Sequence, residues 1–443
     1  MAIQITAVGG YSDIGRNCTA IKIDNEVVIL DMGLHLEHYI RYTENEDIVK
    51  VDVDELTKVG AIPNLEPIED WQQQVKAIIP SHAHLDHVGA IPFLSNRFHA
   101  PLIGTPFTTA VIKTIVEEEK LQLRNPIKTV HPNSKYKVSD AITVELVHIT
   151  HSTPQTAVIA LHTPYGIILY AVDFKFDRSP IVGKKTNLKR LEELGRHGVL
   201  ALILDSTNAN IAIKTPSEGV ARQMLKDVLL GTKSKDNAIV VTTFSSHIAR
   251  LKSIIECGKK LNRRILFLGR SLEKYTRASA SSGVMDFKGI EIIRYSRHIK
   301  RKLKEVERHR NKFLVVVTGH QGEQTSILSK MLNRELHFNF RPDDHVIFSC
   351  KVIPTETNIR NREIIEEKLR QAKVRIFKDI HVSGHAARED LRDMINIVKP
   401  KHIIPAHGTP LMLRAASDLA SEMGYMPNAT IHLLKDGQRI TLS

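Results

Sequence analysis

The sequence predicts an α/β protein of two or three domains, and three observations carry that reading. Short β-rich runs alternate with helical patterns through the first 208 residues. From residue 217 the alternation becomes regular, strand then helix, as a mostly parallel sheet covered by helices requires. The excess of positive charge is confined to that regular stretch. The 443 residues are 42% hydrophobic and 25% charged, so each domain can bury a core and the chain is not disordered. Three cysteines, Cys18, Cys257 and Cys350, are too few and too scattered for a disulfide framework or a thiolate zinc site, which agrees with a reducing compartment. No apolar run reaches the ~18 residues of a membrane span. The N-terminus enters a strand pattern without the basic head and apolar stretch of a signal peptide, so a cytoplasmic protein with no membrane association is expected.

The elements follow in order. Strands are expected at 3–8, 19–23 and 27–30, the last two joined by the turn DNE at 24–26. Residues 34–70, acidic and without a clear period, read as a surface excursion. A buried strand at 75–80, a helix at 107–120 and strands at 143–149, 166–172 and 199–204 come next, the second of these three strands after a PYG turn. Helices at 217–230 and 247–261 then interleave with strands at 238–243, 265–268 and 313–318. A polar helix at 360–372, a strand at 374–380, a helix at 388–398, a strand at 402–405 and a closing hairpin around the DGQ at 436–438 complete the chain.

Residues 209–376 hold 34 basic and 17 acidic side chains of the chain's 62 and 49, leaving 28 against 32 elsewhere. A segment of net +17 set into a mildly acidic remainder points to a module that handles a polyanion, since phosphate neutralisation with counterion release drives nucleic-acid affinity. Its densest run, RYSRHIKRKLKEVERHRNK at 294–312, has nine basic and two acidic groups and reads equally well as an RNA-facing helix or a solvated one.

The chemistry concentrates in HAHLDH at 82–87, directly after the apolar run at 75–80. A period of two points His82 and His84 to one side where the strand runs out, and Asp86 and His87 follow in a turn. Four ligands cannot complete two metal shells, so others must come from further strand ends. His151 in HSTP, Asp173 in AVDF and His407 in PAHG each lie just past a strand. Mixed imidazole and carboxylate ligation suits zinc or manganese, and a carboxylate can bridge two ions. His148 falls inside the strand pattern and is expected to pack or cap there.

This string, with Asp31 after an early strand and His151, Asp173 and a late histidine, resembles the metallo-β-lactamase superfamily. The basic insertion resembles that of its β-CASP nucleases. The ribonuclease J family is the nearest likeness, carried by GGYSDIGRN at 9–17, LDSTN at 204–208, TTFSSH at 242–247, LGRS at 268–271, TGHQGE at 318–323, VSGHA at 382–386 and IPAHG at 404–408. The resemblance implies an αββα metallo-β-lactamase sandwich over 1–208 and 377–443, with a β-CASP α/β domain inserted at 209–376. It implies two divalent ions, zinc foremost with manganese or magnesium as alternatives. His82, His84 and His151 would hold one ion, Asp86, His87 and His407 the other, and Asp173 would bridge them. Asp205 and His385 fall on the β-CASP motifs. Asp86, Asp205 and His385 are thus the catalytic candidates, with Asp31 in support. Two cations ~3.5–4 Å apart lower the pKa of a water between them and stabilise in-line attack on a phosphodiester.

The same resemblance implies contacts with single-stranded RNA and its terminal 5′-phosphate from His381, Val382, Ser383, Gly384, His385 and Ala386, where small residues let backbone amides approach an anion. Phe244, Ser245, Ser246, His247, Gln321 and Gly322 would form RNA-channel walls. Two departures stand out: His320 replaces a small polar residue, and VIPTET at 352–357 replaces a proline-glycine phrase. The chain ends 36 residues after His407, as in the short archaeal type, so the expected homodimer must use a surface other than an added C-terminal domain. The implied activity is 5′-to-3′ exoribonucleolysis from a 5′-monophosphate, in RNA decay and rRNA processing. The alternatives are an endonuclease of the RNA 3′-end processing type, mixed activity, an idle RNA-binding scaffold, and a small-molecule hydrolase such as a thioesterase or lactamase. The full ligand set weighs against the scaffold and the +17 insertion against the small-molecule enzyme.

Overall fold

The computed structural model describes residues 3–44, 51–353 and 355–442. The chain forms two compact units, one of Met1–Arg178, Lys184–Thr215 and Gly384–Ser443, the other of Ser179–Gly183 and Pro216–Ser383. Residues 209–215 stay with the first unit because they are hydrogen-bonded into it. Arg388 N donates to Ile211 O, Glu389 N to Ile213 O and Thr215 N to Asp390 Oδ2.

The first unit is a sandwich of two face-to-face sheets, as the resemblance implies. One has seven strands in the order Arg439–Leu442, Ile3–Gly9, Cys18–Ile23, Glu26–Leu30, Val75–Ile79, Leu102–Gly104, Ile127–Thr129. The other has six, in the order His402–Ala406, Val199–Asp205, Gly166–Ala171, Ala157–Thr163, Thr143–His148, Ser134–Lys137. Alternation decides what each face covers. Val144, Leu146, Ile159 and Leu161 meet Ile5, Ile21, Val28 and Leu30 between the sheets. Val147, Ile149, Val158 and Ala160 turn outward to Leu191, Leu391 and Leu419 of the helices Leu188–His197, Arg388–Val398 and Pro410–Glu422.

Two expectations need correcting. The closing segment is not a hairpin: the turn before Arg439 delivers Arg439–Leu442 to the strand Ile3–Gly9, antiparallel, as the edge of that sheet. The segment at 34–70 is more than a surface excursion. It carries helices Leu36–Glu44 and Val53–Lys58 and a 3₁₀ stretch Glu66–Gln74, and buries Leu34, Leu56, Ile62 and Ile68. Its residues 45–50 lie outside the described residues.

The second unit is one wholly parallel six-stranded sheet, in the order Glu291–Ile293, Arg264–Leu268, Phe313–Val317, Ile239–Thr242, His345–Phe348, Arg375–Phe377. Helices connect the strands, and the strand expected at 374–380 is its last, shortened to Arg375–Phe377.

Candidate metal centre

Four strands of the six-stranded sheet of the first unit, Thr143–His148, Gly166–Ala171, Val199–Asp205 and His402–Ala406, point their carboxyl ends the same way. Just past those ends stand His151, Asp173, Asp205 and His407. From the facing sheet, Glu26–Leu30 and Val75–Ile79 run parallel and bring Asp31 and the string 82–87 to meet them. Gly33 lets this happen: a Cβ there would lie 1.6 Å from Asp86 O, so only glycine allows the backbones after the two strands to touch.

Asp173 is the hub. Its side chain is 1% exposed, with Oδ2 3.4 Å from His82 Nε2 and 3.3 Å from His151 Nε2. Oδ1 faces the other way, 3.3 Å from His87 Nε2 and 3.4 Å from His407 Nε2. His84 Nδ1 lies 3.1 Å from both His82 Nε2 and His151 Nε2. Asp86 Oδ2 lies 3.5 Å from His87 Nε2 and 3.8 Å from His407 Nε2.

The surrounding hydrogen bonds fix which nitrogen each ring presents. His87 Nδ1 donates to Asp31 Oδ2 at 2.6 Å, and His151 Nδ1 to the Gly384 carbonyl at 2.7 Å. Ser81 Oγ gives its proton to Asp31 Oδ2 at 2.9 Å and so accepts from His82 Nδ1 at 3.0 Å. Asn17 Nδ2 is held by the Asp86 carbonyl at 3.0 Å, which turns Oδ1 toward His407 Nδ1 at 2.8 Å. Four rings therefore aim Nε2 at a carboxylate whose two oxygens are buried and, among the described residues, without a hydrogen-bond partner. Lone pairs converging at these distances repel one another unless cations lie among them, so the donor set fits metal ions. The triads His82, His84, His151 with Asp173, and Asp86, His87, His407, each gather their ligand atoms within 4.8 Å, as do Asp173, His385 and His407.

Burial holds the His84 and His151 imidazoles well below their usual range, which keeps them in the neutral form that ligates a metal. Burial would lower His87 too, but the carboxylates of Asp173, Asp86 and Asp31 raise it well above the ordinary value. His385 stands beside the hub, its Nε2 3.7 Å from Asp173 Oδ2 and its Nδ1 3.0 Å from Asp205 Oδ2. Burial opposes its charge, yet the Asp173 and Asp205 carboxylates push it up to about 9. Gly384 is required as glycine, since a Cβ would lie 2.8 Å from His151 Cε1. His148 is directed elsewhere, with Nε2 2.9 Å from Lys184 O.

The structure thus brings together Asp31, His82, His84, Asp86, His87, His151, Asp173, Asp205, His385 and His407. The sequence reading missed Asn17 and Ser81 as orienting groups. Ser81 adjoins the histidine string, whereas nothing in the phrase around Asn17 marks its amide.

Of the residues expected to contact RNA, Gly384, His385 and Ala386 belong to the first unit and the others to the second, where the loops after the parallel strands lie at the carboxyl edge at which ligand sites of such sheets form. The Phe244 ring meets His320 with centroids 4.1 Å apart. Ser245, Ser246, His247 and Gln321 are buried. Gln321 is clamped between Lys351 O and Ile353 N, and His247 Nε2 lies 3.4 Å from Glu218 Oε2. These side chains shape the loops. Gly322, at φ +84°, packs where a Cβ would meet Asn361 at 2.4 Å. Val382 is buried and Ser383 half-buried. Burial beside Arg250 and His247 pushes the His381 imidazole down to about 2.

A two-sheet sandwich with such a His/Asp rim at its strand ends defines the metal-dependent hydrolases of the metallo-β-lactamase superfamily, and residues 12–201 match the model of that superfamily. Residues 236–367 match the model described as "Ribonuclease J, beta-CASP domain", and 371–432 that of a "Zn-dependent metallo-hydrolase RNA specificity domain". The chain is 41% identical over 441 residues to Ribonuclease J of Methanocaldococcus jannaschii, covering 99% of this chain and 98% of the relative. It is 40% identical over 442 residues to that of Pyrococcus abyssi, covering 99% and 97%. With Ribonuclease J of Helicobacter pylori strain 26695 it shares 32% identity and covers 60% of the longer relative. The chain belongs to the ribonuclease J family and is a metal-dependent ribonuclease. A solved structure of a protein of unknown function from Enterococcus faecalis V583 aligns over 100% of both chains at a TM-score of 0.67 and 16% identity, a likeness of fold alone. Among the described residues no helix is long and apolar enough to cross a membrane.

Proposed function

We propose that this ribonuclease is a two-metal-ion 5′-to-3′ exonuclease that removes nucleoside 5′-monophosphates from single-stranded RNA with a 5′-monophosphate end. The observation that carries the two-ion reading is the two-faced Asp173, one oxygen toward His82 and His151 and the other toward His87 and His407. His82, His84 and His151 would hold one ion, most simply zinc, and Asp86, His87 and His407 the second, with Asp173 shared. A bound pair of divalent cations supplies Lewis-acid stabilisation of the phosphodiester's charge and acidifies water. Asp86, with an oxygen directed between His87 and His407, orients the attacking water. His385, held by Asp205 and charged at neutral pH, donates a proton from Nε2 to the 3′-oxygen of the departing nucleotide as the phosphorus–oxygen bond breaks, so the attacked phosphate stays on the new 5′ end of the shortened RNA. The segment from His381 to Ala386 is assigned the terminal 5′-phosphate, and the loops at Phe244–His247 and Gln321–Gly322 the RNA strand. Cytoplasmic residence and a homodimer are carried over from the family likeness alone.

The test is digestion of 5′-labelled and 3′-labelled RNA bearing a 5′-monophosphate or a 5′-hydroxyl, with His84→Ala as control. Labelled mononucleotide released at once from the 5′-labelled monophosphate RNA, and slowly from the 5′-hydroxyl RNA, is the expected result. Discrete internal fragments indifferent to the 5′ group would overturn the exonuclease reading, and equal rates for parent and His84→Ala the catalytic assignment.

A further inference from the structure

The helix Ser296–Arg308 of the second unit presents a face that the hydrolytic chemistry does not use. Its apolar side, Ile299, Leu303 and Val306, is buried in that unit's core. Lys302 is engaged there as well, 2.8 Å from Glu291 and 2.8 Å from Glu305, so the helix's acid nearest the surface is matched. Its other acid, Glu307, is bound by Arg310 and Arg341. On the outer side Arg297, Lys300, Arg301, Lys304 and Arg308 are exposed, and among the described residues none of them makes an ion pair or hydrogen bond.

At 3.6 residues per turn, Arg297, Arg301, Lys304 and Arg308 fall within an arc of about 60° and span about 16 Å of the helix axis. A merely solvated face alternates its signs at i and i+4. Here the pairs 297/301, 300/304 and 304/308 repel. Such a stripe is mildly unfavourable in the isolated helix, and a polyanion lying along it relieves the repulsion. The helix and the edge strand Glu291–Ile293 also flank a depression of about 440 Å³, lined in part by Ile293, His298, Arg301, Lys304 and Arg308.

A second observation gives the ligand its class. Tyr295, between that strand and the helix, is 62% exposed, with the Arg294 guanidinium 5.5 Å from its ring centroid and the His298 ring at 6.4 Å. It stands at the same carboxyl edge of the sheet as the loops holding Phe244 and Gln321, and the helix carries the stripe away from that edge. An exposed aromatic at the head of a cationic track is the combination that binds a single strand, with a base on the ring and phosphates along the charges. A duplex offers no free base face. We propose that Tyr295 and the outer face of Ser296–Arg308 form a second RNA-binding track, which takes a single-stranded segment of a longer substrate. The proposal rests on the ribonuclease reading of the chain.

The test measures binding by the full chain, with His84→Ala in every arm so that RNA is not consumed. The probes are labelled single strands of about 6 and about 30 nucleotides and a duplex of about 20 base pairs. One variant replaces Arg297, Lys300, Arg301, Lys304 and Arg308 by Gln, a good helix former, and another is Tyr295→Ala. For the long strand the five-fold variant is expected to weaken binding roughly 30-fold and to flatten the log–log salt dependence by about 0.7 for each phosphate no longer neutralised. Tyr295→Ala is expected to cost about tenfold with the salt slope unchanged. The short strand and the duplex should hold within about twofold. Unchanged affinity for the long strand in both variants overturns the track. An equal loss on the short strand overturns it in favour of a general field effect, and a larger loss on the duplex in favour of a groove binder. Failure of the parent to bind any RNA would instead overturn the ribonuclease reading beneath it.

Discussion

Asn17 selects a tautomer for a histidine 390 residues away in the chain. With its amide nitrogen held by the Asp86 carbonyl, only its oxygen can face His407 Nδ1, so that nitrogen must carry the proton and Nε2 keeps its lone pair. Groups of this kind govern metal affinity by roughly 10- to 100-fold. Asn17→Ala, which frees His407 to take either tautomer, should therefore weaken metal binding by that order in a chelator competition. Unchanged affinity would show that His407 is fixed by other means. The contrast between Asn17 and the string 82–87 explains what was legible. The histidine string puts four donors in six residues, and chance rarely does so. Asp31, His151, Asp173, Asp205, His385 and His407 were legible as strand ends and family motifs. Asn17, beside the His87 and His407 rings, and Ser81, beside His82, act through hydrogen bonds on rings already identified, and an amide or hydroxyl in a loop carries no spacing that reveals such a bond.

Among the elements, Arg250 joins four. It is fully buried on the helix Ile248–Lys260, bidentate to Glu218 at the start of Glu218–Gly231 at 2.6 and 2.9 Å. Its Nη1 also reaches Ser349 O, Ser349 Oγ and Ile380 O at 2.7–2.9 Å, past the strands His345–Phe348 and Arg375–Phe377. Removing the guanidinium takes the bidentate cation from a buried carboxylate and one donor from each of two buried carbonyls, so Arg250→Ala should destabilise by about 3–5 kcal/mol. Arg250→Lys, with a point charge in place of a fork, should recover less than half of that. Denaturant titration reads both, and full recovery by lysine would show that charge alone suffices. Arg250 lay in an ordinary amphipathic pattern, and nothing in the sequence distinguishes a keystone from a solvated arginine. The βα alternation from residue 217 was legible because each strand there is a short apolar run between helical periods. Ala157–Thr163 escaped because it is apolar on both faces and shows no alternation, a pattern periodicity cannot assign. The closing strand escaped because its partner, Ile3–Gly9, is at the opposite end of the chain.

At the scale of the molecule, histidine burial sets the response to acid. Apart from the metal candidates, His148, His320, His345, His381, His402 and His432 all have their imidazoles lowered, burial being the leading cause in each. His381 goes furthest, to about 2. A base whose folded pKa is below its unfolded value of about 6.5 binds its proton more readily when unfolded, so stability rises with pH across the interval between the two values. The contribution is complete above about pH 6.5 and is lost as pH falls below it, at about 1.4 kcal/mol per pH unit for each fully neutral ring. Glu145 adds a second step at lower pH. Its burial opposes ionisation, but His162 and Arg190 hold its carboxyl down to about 2, so its contribution is present above about pH 4.5 and fades as pH falls toward 2. Denaturant titrations at pH 7.5, 6.5 and 5.5 should therefore show a loss between the last two of more than the about 1.4 kcal/mol that one proton gives. His381→Asn, which cannot charge, should return about one proton's worth of that slope while leaving stability at pH 7.5 nearly unchanged. A slope of one proton or less in the parent would mean that these rings reach water and charge in the folded state, and the set would not act together.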